Sequence, residues 1–474
     1  MAVGVIVVVL LSRLWFIAHR EINIDEFEHA HASWAFAHGQ VPYRDFFEHH
    51  TPWLYFAAAP TFAHVRVETN ASAAISWLLG ARAAMFALTV AIIALVYRLG
   101  VLWSDRFGAM IGATLLATSS QFLDVMLEFR PDVPALLCSV VALIFTIRAW
   151  RSTRRATAAL LFAAGGGALG AALMFTQKYV FIGPGYGAAL IVYLATSRTA
   201  SERWSRVAGV AAFVVGVAVP IAVTAAWFAA HAALGPFVRY NFQENVRLNT
   251  YWFWPFPKIV DNFRHSPGLL IPGAAGFVQA ARTLRTERNE RTVLVATAAS
   301  LFLGLGVMGR AYEQYFVMFF PHLAVFGGAF VERYANNVNR ARVALAALTA
   351  LVFLNFFTGF HSNARQLADL TYVTERTRPT DVTFAASAGP GVFRPHAWYY
   401  FFHSGPFATD REAADIASAI VGGRVRPRIV LLEDLEMPIP PAVWKYVTAN
   451  YRQVSPLLWD RDVSGDRTNT AAKD

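Results

Sequence analysis

Long apolar runs broken by short polar stretches repeat along most of the chain. A helix needs about 20 mostly apolar residues to cross a hydrocarbon core of roughly 30 Å. The pattern predicts about eleven such spans, over residues 2–18, 76–98, 107–124, 132–149, 156–175, 179–196, 207–230, 268–281, 292–308, 314–331 and 342–360. The eighth, GLLIPGAAGFVQAA, is the shortest of the set. The first has the length of a signal peptide, but its Met-Ala-Val start lacks a basic region and no small-residue cleavage site follows. It is therefore expected to stay as an anchor.

After residue 361 the pattern changes. DVTFAASAG and RPRIVLLEDL predict strands, being apolar and β-branched between Gly and Pro signals. PPAVWKYVTANY predicts a helix with proline in its first turn. The expected fold is a polytopic α-helical membrane protein over 1–360, with a first outer loop at 19–75 and a small C-terminal α/β domain over 361–474.

The connections alternate in charge. Arg98 and Arg106, then Arg148, Arg151, Arg154 and Arg155, then Arg198, Arg203 and Arg206, mark one side. Arg282, Arg285, Arg288 and Arg291, and then Arg333, Arg340 and Arg342, mark it again. The excess of basic residues in cytoplasmic loops puts that side, with the amino terminus, in the cytoplasm. The remaining loops and the tail are expected outside, as in a multi-pass protein of a bacterial inner membrane.

Composition agrees: of 474 residues 56% are hydrophobic and 15% charged, against roughly 25% charged in ordinary soluble domains. The net charge of +10 lies in arginines between apolar segments, so topology explains it better than nucleic acid does. Cys138 is the single cysteine, which excludes a disulfide within the chain and argues against a cysteine-based metal site.

Candidate chemistry gathers in the expected outer loops. The first holds NIDEFEHAHASWAFAHGQVPYRDFFEHHTP. From Asp25 the spacing of Phe27, Ala30, Trp34 and Ala37 predicts a helix with one apolar face. It is expected to lie along the membrane surface with Trp34 at headgroup level. Asp25 and His29, four apart, share another face, whereas Glu28 is expected to be solvated. Asp45, Glu48, His29, His31, His38, His49 and His50 are candidates for acceptor or metal contacts, although histidine ligands usually occur in tighter motifs such as H-E-x-x-H. A solvated amphipathic loop is the plain alternative.

Three further turns carry charge. LEFRPDVPALL holds Glu128, Arg130 and Asp132, which could be a local ion pair or a functional group beside the hydrocarbon. MFTQKYVFIGPG holds Lys178, one of four lysines in the chain, where an ammonium could meet a phosphate oxygen or simply snorkel. GRAYEQYFVMFFPHLA holds Arg310, Tyr312 and Glu313; the arginine can bind phosphate through paired donors, and the tyrosines suit an interfacial belt. VRYNFQENVRLNTYWFWPFP interleaves Arg239 and Arg247 with aromatic residues that suit sugars or lipid headgroups.

The first-loop acidic motif, RPD before the fourth span, TQK after the fifth and EQYFVMFFP opening the tenth together resemble the bacterial GT-C glycosyltransferases. The nearest groups are the protein-O-mannosyltransferase and aminoarabinose-transferase-like families, and the likeness covers roughly residues 20–330. The resemblance implies inverting transfer of a sugar from a polyprenyl-phosphate-linked donor at the outer face. It implies Asp25 as general base on an acceptor hydroxyl, supported by Glu26. The second-loop acid is Asp132 or, less well, Glu128, and Lys178 and Arg310 hold the donor phosphate. Such roles fit the chemistry: a hydroxyl needs a positioned base, and charge developing in the transition state needs fixed counter-charge. A divalent metal could bridge carboxylate and phosphate; the sequence leaves the metal, the sugar and the acceptor open. A transporter or flippase of polyprenyl-linked glycans is the alternative, and would place charges or broken helices near the bilayer midplane. A non-catalytic scaffold working through its tail is a third.

Overall fold

The computed structural model describes residues 2–247, 265–284, 289–307, 312–334, 342, 360–385, 388–402, 407–432 and 439–461. Its helices begin with α1 (Ala2–His19), α2 (Ile24–Ala37), α3 (Ala71–Trp103), α4 (Arg106–Ala117), α5 (Ser120–Met126) and α6 (Asp132–Arg151). They continue with α7 (Arg155–Phe175), α8 (Gly183–Ala195), α9 (Ala200–Ala230), α10 (Pro267–Thr283), α11 (Arg291–Leu305) and α12 (Phe320–Tyr334).

Among the described residues six helical segments are long and apolar enough to span a membrane: α3, α6, α7, Gln177–Ala195, α9 and Gln314–Tyr334. The expected span 107–124 is instead a broken pair, α4 and α5, meeting at 66°. The break has a local cause. Thr118 donates its hydroxyl back to Thr114 O at 2.8 Å, and Ser119 accepts from Phe122 N at 3.3 Å to start the next helix. Both side chains compete with the backbone ladder, as hydroxyls near helix ends do. Helices α1, α10 and α11 stand at three more expected positions but fall short of full span length. The expected span 342–360 lies outside the described residues apart from Arg342 and Phe360.

Contacts divide the chain into two units, Met1–Ala18 with Arg82–Ala229 and Val246–Phe360, and His19–Ala81 with Ala230–Asn245 and His361–Asp474. In the first, small residues set the helix crossings. A Cβ on Gly170 of α7 would press on the Val217 carbonyl of α9, and one on Gly216 of α9 on the Ala163 carbonyl of α7. Backbones meet here directly, which is how helices gain close packing where lipid offers no hydrophobic drive. Two arginines lie buried inside the same unit. Arg13 donates to Asp124 Oδ1 at 2.7 Å, and Arg82 donates to the Ile17 carbonyl.

In the second unit, β1 (Thr383–Ala385) pairs parallel with β2 (Ile429–Leu431). Beyond β2 lies β4 (Leu458–Asp460), antiparallel to it and to β3 (Arg452–Gln453), in the order β1-β2-β4-β3. Val430 and Leu432 pack with Phe384, Ile420, Val443 and Val447 on one face, while Ile429 and Leu431 pack with Val373, Ala385 and Leu458 on the other. Both faces are covered, so the run Ile429–Leu432 is apolar throughout rather than alternating. Three helices accompany the sheet: α13 (Ala364–Arg376), α14 (Asp410–Val421) and α15 (Pro441–Asn450). Strands at 383–385 and 429–431 and the helix at 441–450 fall where the sequence places them.

Candidate functional site

Helix α2 starts with a capping box. Asn23 accepts from Asp25 N at 3.0 Å, and Glu26 Oε1 accepts from Asn23 N at 2.9 Å. These bonds satisfy donors that a helix start leaves orphaned. Glu26, buried, is thus committed in part to holding the helix end. Asp25 beside it is half-buried, in the first turn, where the helix dipole favours a carboxylate.

The rest of α2 differs from the expected surface helix. Every residue from Glu26 to Ala35 is buried. Trp34 is 4% exposed and donates its indole N–H to Glu68 Oε1 at 2.7 Å, so it is not a headgroup anchor. Glu28, expected in solvent, is 1% exposed. Its Oε1 lies 3.5 Å from His49 Nδ1 and 3.7 Å from His50 Nδ1. The physical reason is packing on several sides: α2 contacts the helical turns 53–58 and 59–64 and also the turn 389–391.

The segment after α2 supplies partners. Asp45 Oδ2 accepts from Val41 N at 2.7 Å and pairs with Arg44, whose guanidinium holds the Asp45 carboxyl below its usual range. That makes Asp45 a turn residue. Glu48, fully buried, accepts from His49 N at 2.8 Å and His50 N at 3.0 Å through Oε1, with His50 Nδ1 at 3.1 Å. Burial alone would raise the Glu48 carboxyl, but its hydrogen bonds and the field of His50 and His29 leave it below the ordinary value. The rings of His29 and His50 sit edge to face at 5.0 Å, and Tyr55 Oη lies 3.4 Å from His29 Nδ1. Tyr43, at φ 66°, donates its hydroxyl to His50 O at 2.5 Å. Such a backbone is costly for a non-glycine residue and persists where the surroundings fix it. His31 and His38 point elsewhere, bonding Val392 O and Trp34 O respectively.

A second constellation lies in the other unit. Arg130 Nη1 donates to Glu128 Oε2 at 2.6 Å, and its Nε is 3.4 Å from Asp132 Oδ2. Lys178 Nζ donates to Asp132 Oδ1 at 3.2 Å and stands 4.4 Å from the Tyr315 ring centre. Tyr312 packs edge-on against Tyr315 at 5.8 Å. All four charged residues are buried, and two carboxylates balance two cations. The structure thus joins Asp132 to Lys178, which sequence reading named separately, and draws in Glu128 and Tyr312. Arg310 lies outside the described residues.

Sequence reading missed Arg13 and its partner Asp124. An arginine inside an apolar run was the available signal, but only folding reveals which acid answers it.

The family described as dolichyl-phosphate-mannose-protein mannosyltransferase matches residues 46–227. ArnT from Cupriavidus metallidurans, solved with undecaprenyl phosphate, is 13% identical with a TM-score of 0.66, over 98% of both chains. The oligosaccharyltransferase AglB from Archaeoglobus fulgidus, solved with an inhibitory peptide and a dolichol-phosphate, is 13% identical with a TM-score of 0.60, over 91% of this chain and 69% of its own. No curated protein matches the chain in sequence.

Proposed function

We propose that this chain, which shares the fold of the membrane glycosyltransferases ArnT and AglB, moves a sugar from a polyprenyl-phosphate-linked donor to a hydroxyl acceptor, with inversion, at the outer face of a bacterial inner membrane. The observation that carries the reading is the buried chain Glu128–Arg130–Asp132–Lys178. Four charges beside apolar spans are costly, and such groups usually serve a function. Lys178 presents a compact, strongly polar cation between a carboxylate and an aromatic face, suited to an oxygen of the donor phosphate. Arg310 is proposed to add a second cation there. Asp132, and less directly Glu128, position Lys178 through this network.

Asp25 is proposed as the base that takes the acceptor proton. Its half-exposed place in the first turn of α2 leaves it reachable, whereas Glu26 is held in the helix cap. Glu26 then supports the base by fixing the turn that carries it. ArnT and AglB, solved with undecaprenyl phosphate and a dolichol-phosphate, support the donor class.

A second reading, transport of a polyprenyl-linked glycan, draws on the 66° break between α4 and α5, since discontinuous helices mark many transporter sites. Mass spectrometry of envelope lipids, glycans and glycoproteins from a deletion strain separates the two. Transfer predicts one missing sugar on an acceptor with lipid-linked donor accumulating. Lipid-linked glycan that accumulates on the cytoplasmic leaflet, shielded from an added membrane-impermeant glycosidase, supports transport and overturns transfer.

A further inference from the structure

Among the described residues, a buried cluster of titratable groups lies within the second unit. Glu28, His29, Glu48 and His50 each bring one donor atom to a point where all four lie within 4.8 Å of one another. None of the four is more than 8% exposed. The remaining oxygen of Glu48, Oε2, is buried without a hydrogen-bond partner among the described residues. We propose that Glu28, His29, Glu48 and His50 bind one zinc-class divalent cation, which pins α2 to the segment 46–51.

Three physical points lead there. Two carboxylates buried among imidazoles bring negative charge into a site that water scarcely reaches, and a dication balances it. The donor set is two nitrogens and two oxygens. Calcium and magnesium prefer oxygen-only shells, while imidazole with carboxylate suits zinc and its neighbours. Four protein donors complete a tetrahedral shell, the mark of a structural site, since catalytic zinc keeps a position open.

The surroundings fit such a centre. Tyr55 Oη at 3.4 Å from His29 Nδ1 can set that ring's tautomer, as outer groups do for metal-bound histidines. The backbone N–H groups of His49 and His50 orient the Glu48 carboxylate. Tyr43 fixes the chain at His50 through the His50 carbonyl. The four residues come from two places in the chain, a dipeptide on α2 and the Glu48–His50 turn, so one ion ties the two segments together. It gives a role to two of the five histidines between residues 29 and 50, His29 and His50.

The site stands one helical turn beyond Asp25. The cation would then hold the start of α2 in place rather than touch the reacting atoms; that last point rests on the proposed base role, but the metal site does not.

The test uses the full-length protein in detergent. Wild type, Glu48→Gln and a His29→Ala/His50→Ala double variant are purified, stripped with chelator and reloaded with zinc. Metal is counted by mass spectrometry, and melting is followed with and without zinc. The expected result is about one zinc per wild-type chain, a melting temperature that rises on reloading, and loss of both effects in the double variant. Cobalt in place of zinc should give the strong visible absorption of a four-coordinate ion in wild type only. A monodisperse wild type that takes up no zinc or cobalt overturns the proposal, as does equal uptake by a monodisperse double variant. Because uptake and melting are read without substrate, failure here leaves the transferase reading standing, and loss of transfer with normal metal content would do the reverse.

Discussion

Lys178 donates to the carboxylate of Asp132 at 3.2 Å across 46 residues of sequence, with both side chains buried. Removing one member of a buried pair leaves the other uncompensated, at about 3–5 kcal/mol; here Arg130, 3.4 Å from Asp132, softens the loss for the acid. Lys178→Met is therefore expected to lower stability by less than that range and to abolish transfer. The double variant Asp132→Asn/Lys178→Met should recover stability without recovering transfer. Melting in detergent together with a transfer assay checks both, and recovered transfer in the double variant would make the pair structural only.

Helix packing yields a second expectation. Gly170→Val puts its side chain against the Val217 carbonyl and the Pro220 ring. Overpacking of this kind typically costs about 1–3 kcal/mol. Gly187, whose Cβ would meet nothing within 4 Å, is the control, and Gly187→Ala should melt as wild type does. Equal melting of the two variants would remove the close approach of α7 and α9 as a source of stability.

The sheet should be acid-sensitive through His396. Its Nε2 accepts from Ala385 N at 3.0 Å, so the ring is neutral there, and burial is the main cause that brings its pKa from 6.5 down to about 4. Between those values the unfolded chain binds a proton that the folded one refuses. Stability is then fully present above pH 6.5 and is lost as the pH falls toward about 4. His396→Gln, with no titratable ring, should show a flatter fall in melting temperature over that window, and an identical slope in both proteins would contradict the assignment.

The Trp34 indole should matter to α2. Glu68→Ala removes the acceptor of a buried N–H, an omission that costs about 1–3 kcal/mol. Glu68→Gln keeps an acceptor and should melt closer to wild type, as measured by Trp fluorescence during unfolding.

Much of this was legible in the chain itself. Hydropathy placed the long helices because lipid leaves the backbone few alternatives, and the apolar run at 429–432 announced a strand. The broken pair at 118–119 was hidden, since two hydroxyl side chains interrupt an apolar run without changing its hydropathy much. Charge partners were harder. Lys178 and Asp132 each stood out, but their union depends on tertiary contact, and nothing local pairs Arg13 with Asp124. For Glu28 the polar loop suggested solvent, and the structure buries it because α2 is packed on several sides.

The base assignment is the claim on which the rest of the function turns. Asp25→Asn keeps the shape of the side chain and the first turn of α2 but removes the proton acceptor, whereas Glu26→Ala disrupts the cap at a cost of about 0.5–2 kcal/mol. In a deletion strain complemented at matched protein abundance, sugar on the acceptor is quantified by mass spectrometry. The account predicts that Asp25→Asn transfers about 100-fold less sugar or worse, while Glu26→Ala loses far less transfer and melts at a lower temperature. Wild-type transfer by Asp25→Asn would contradict it.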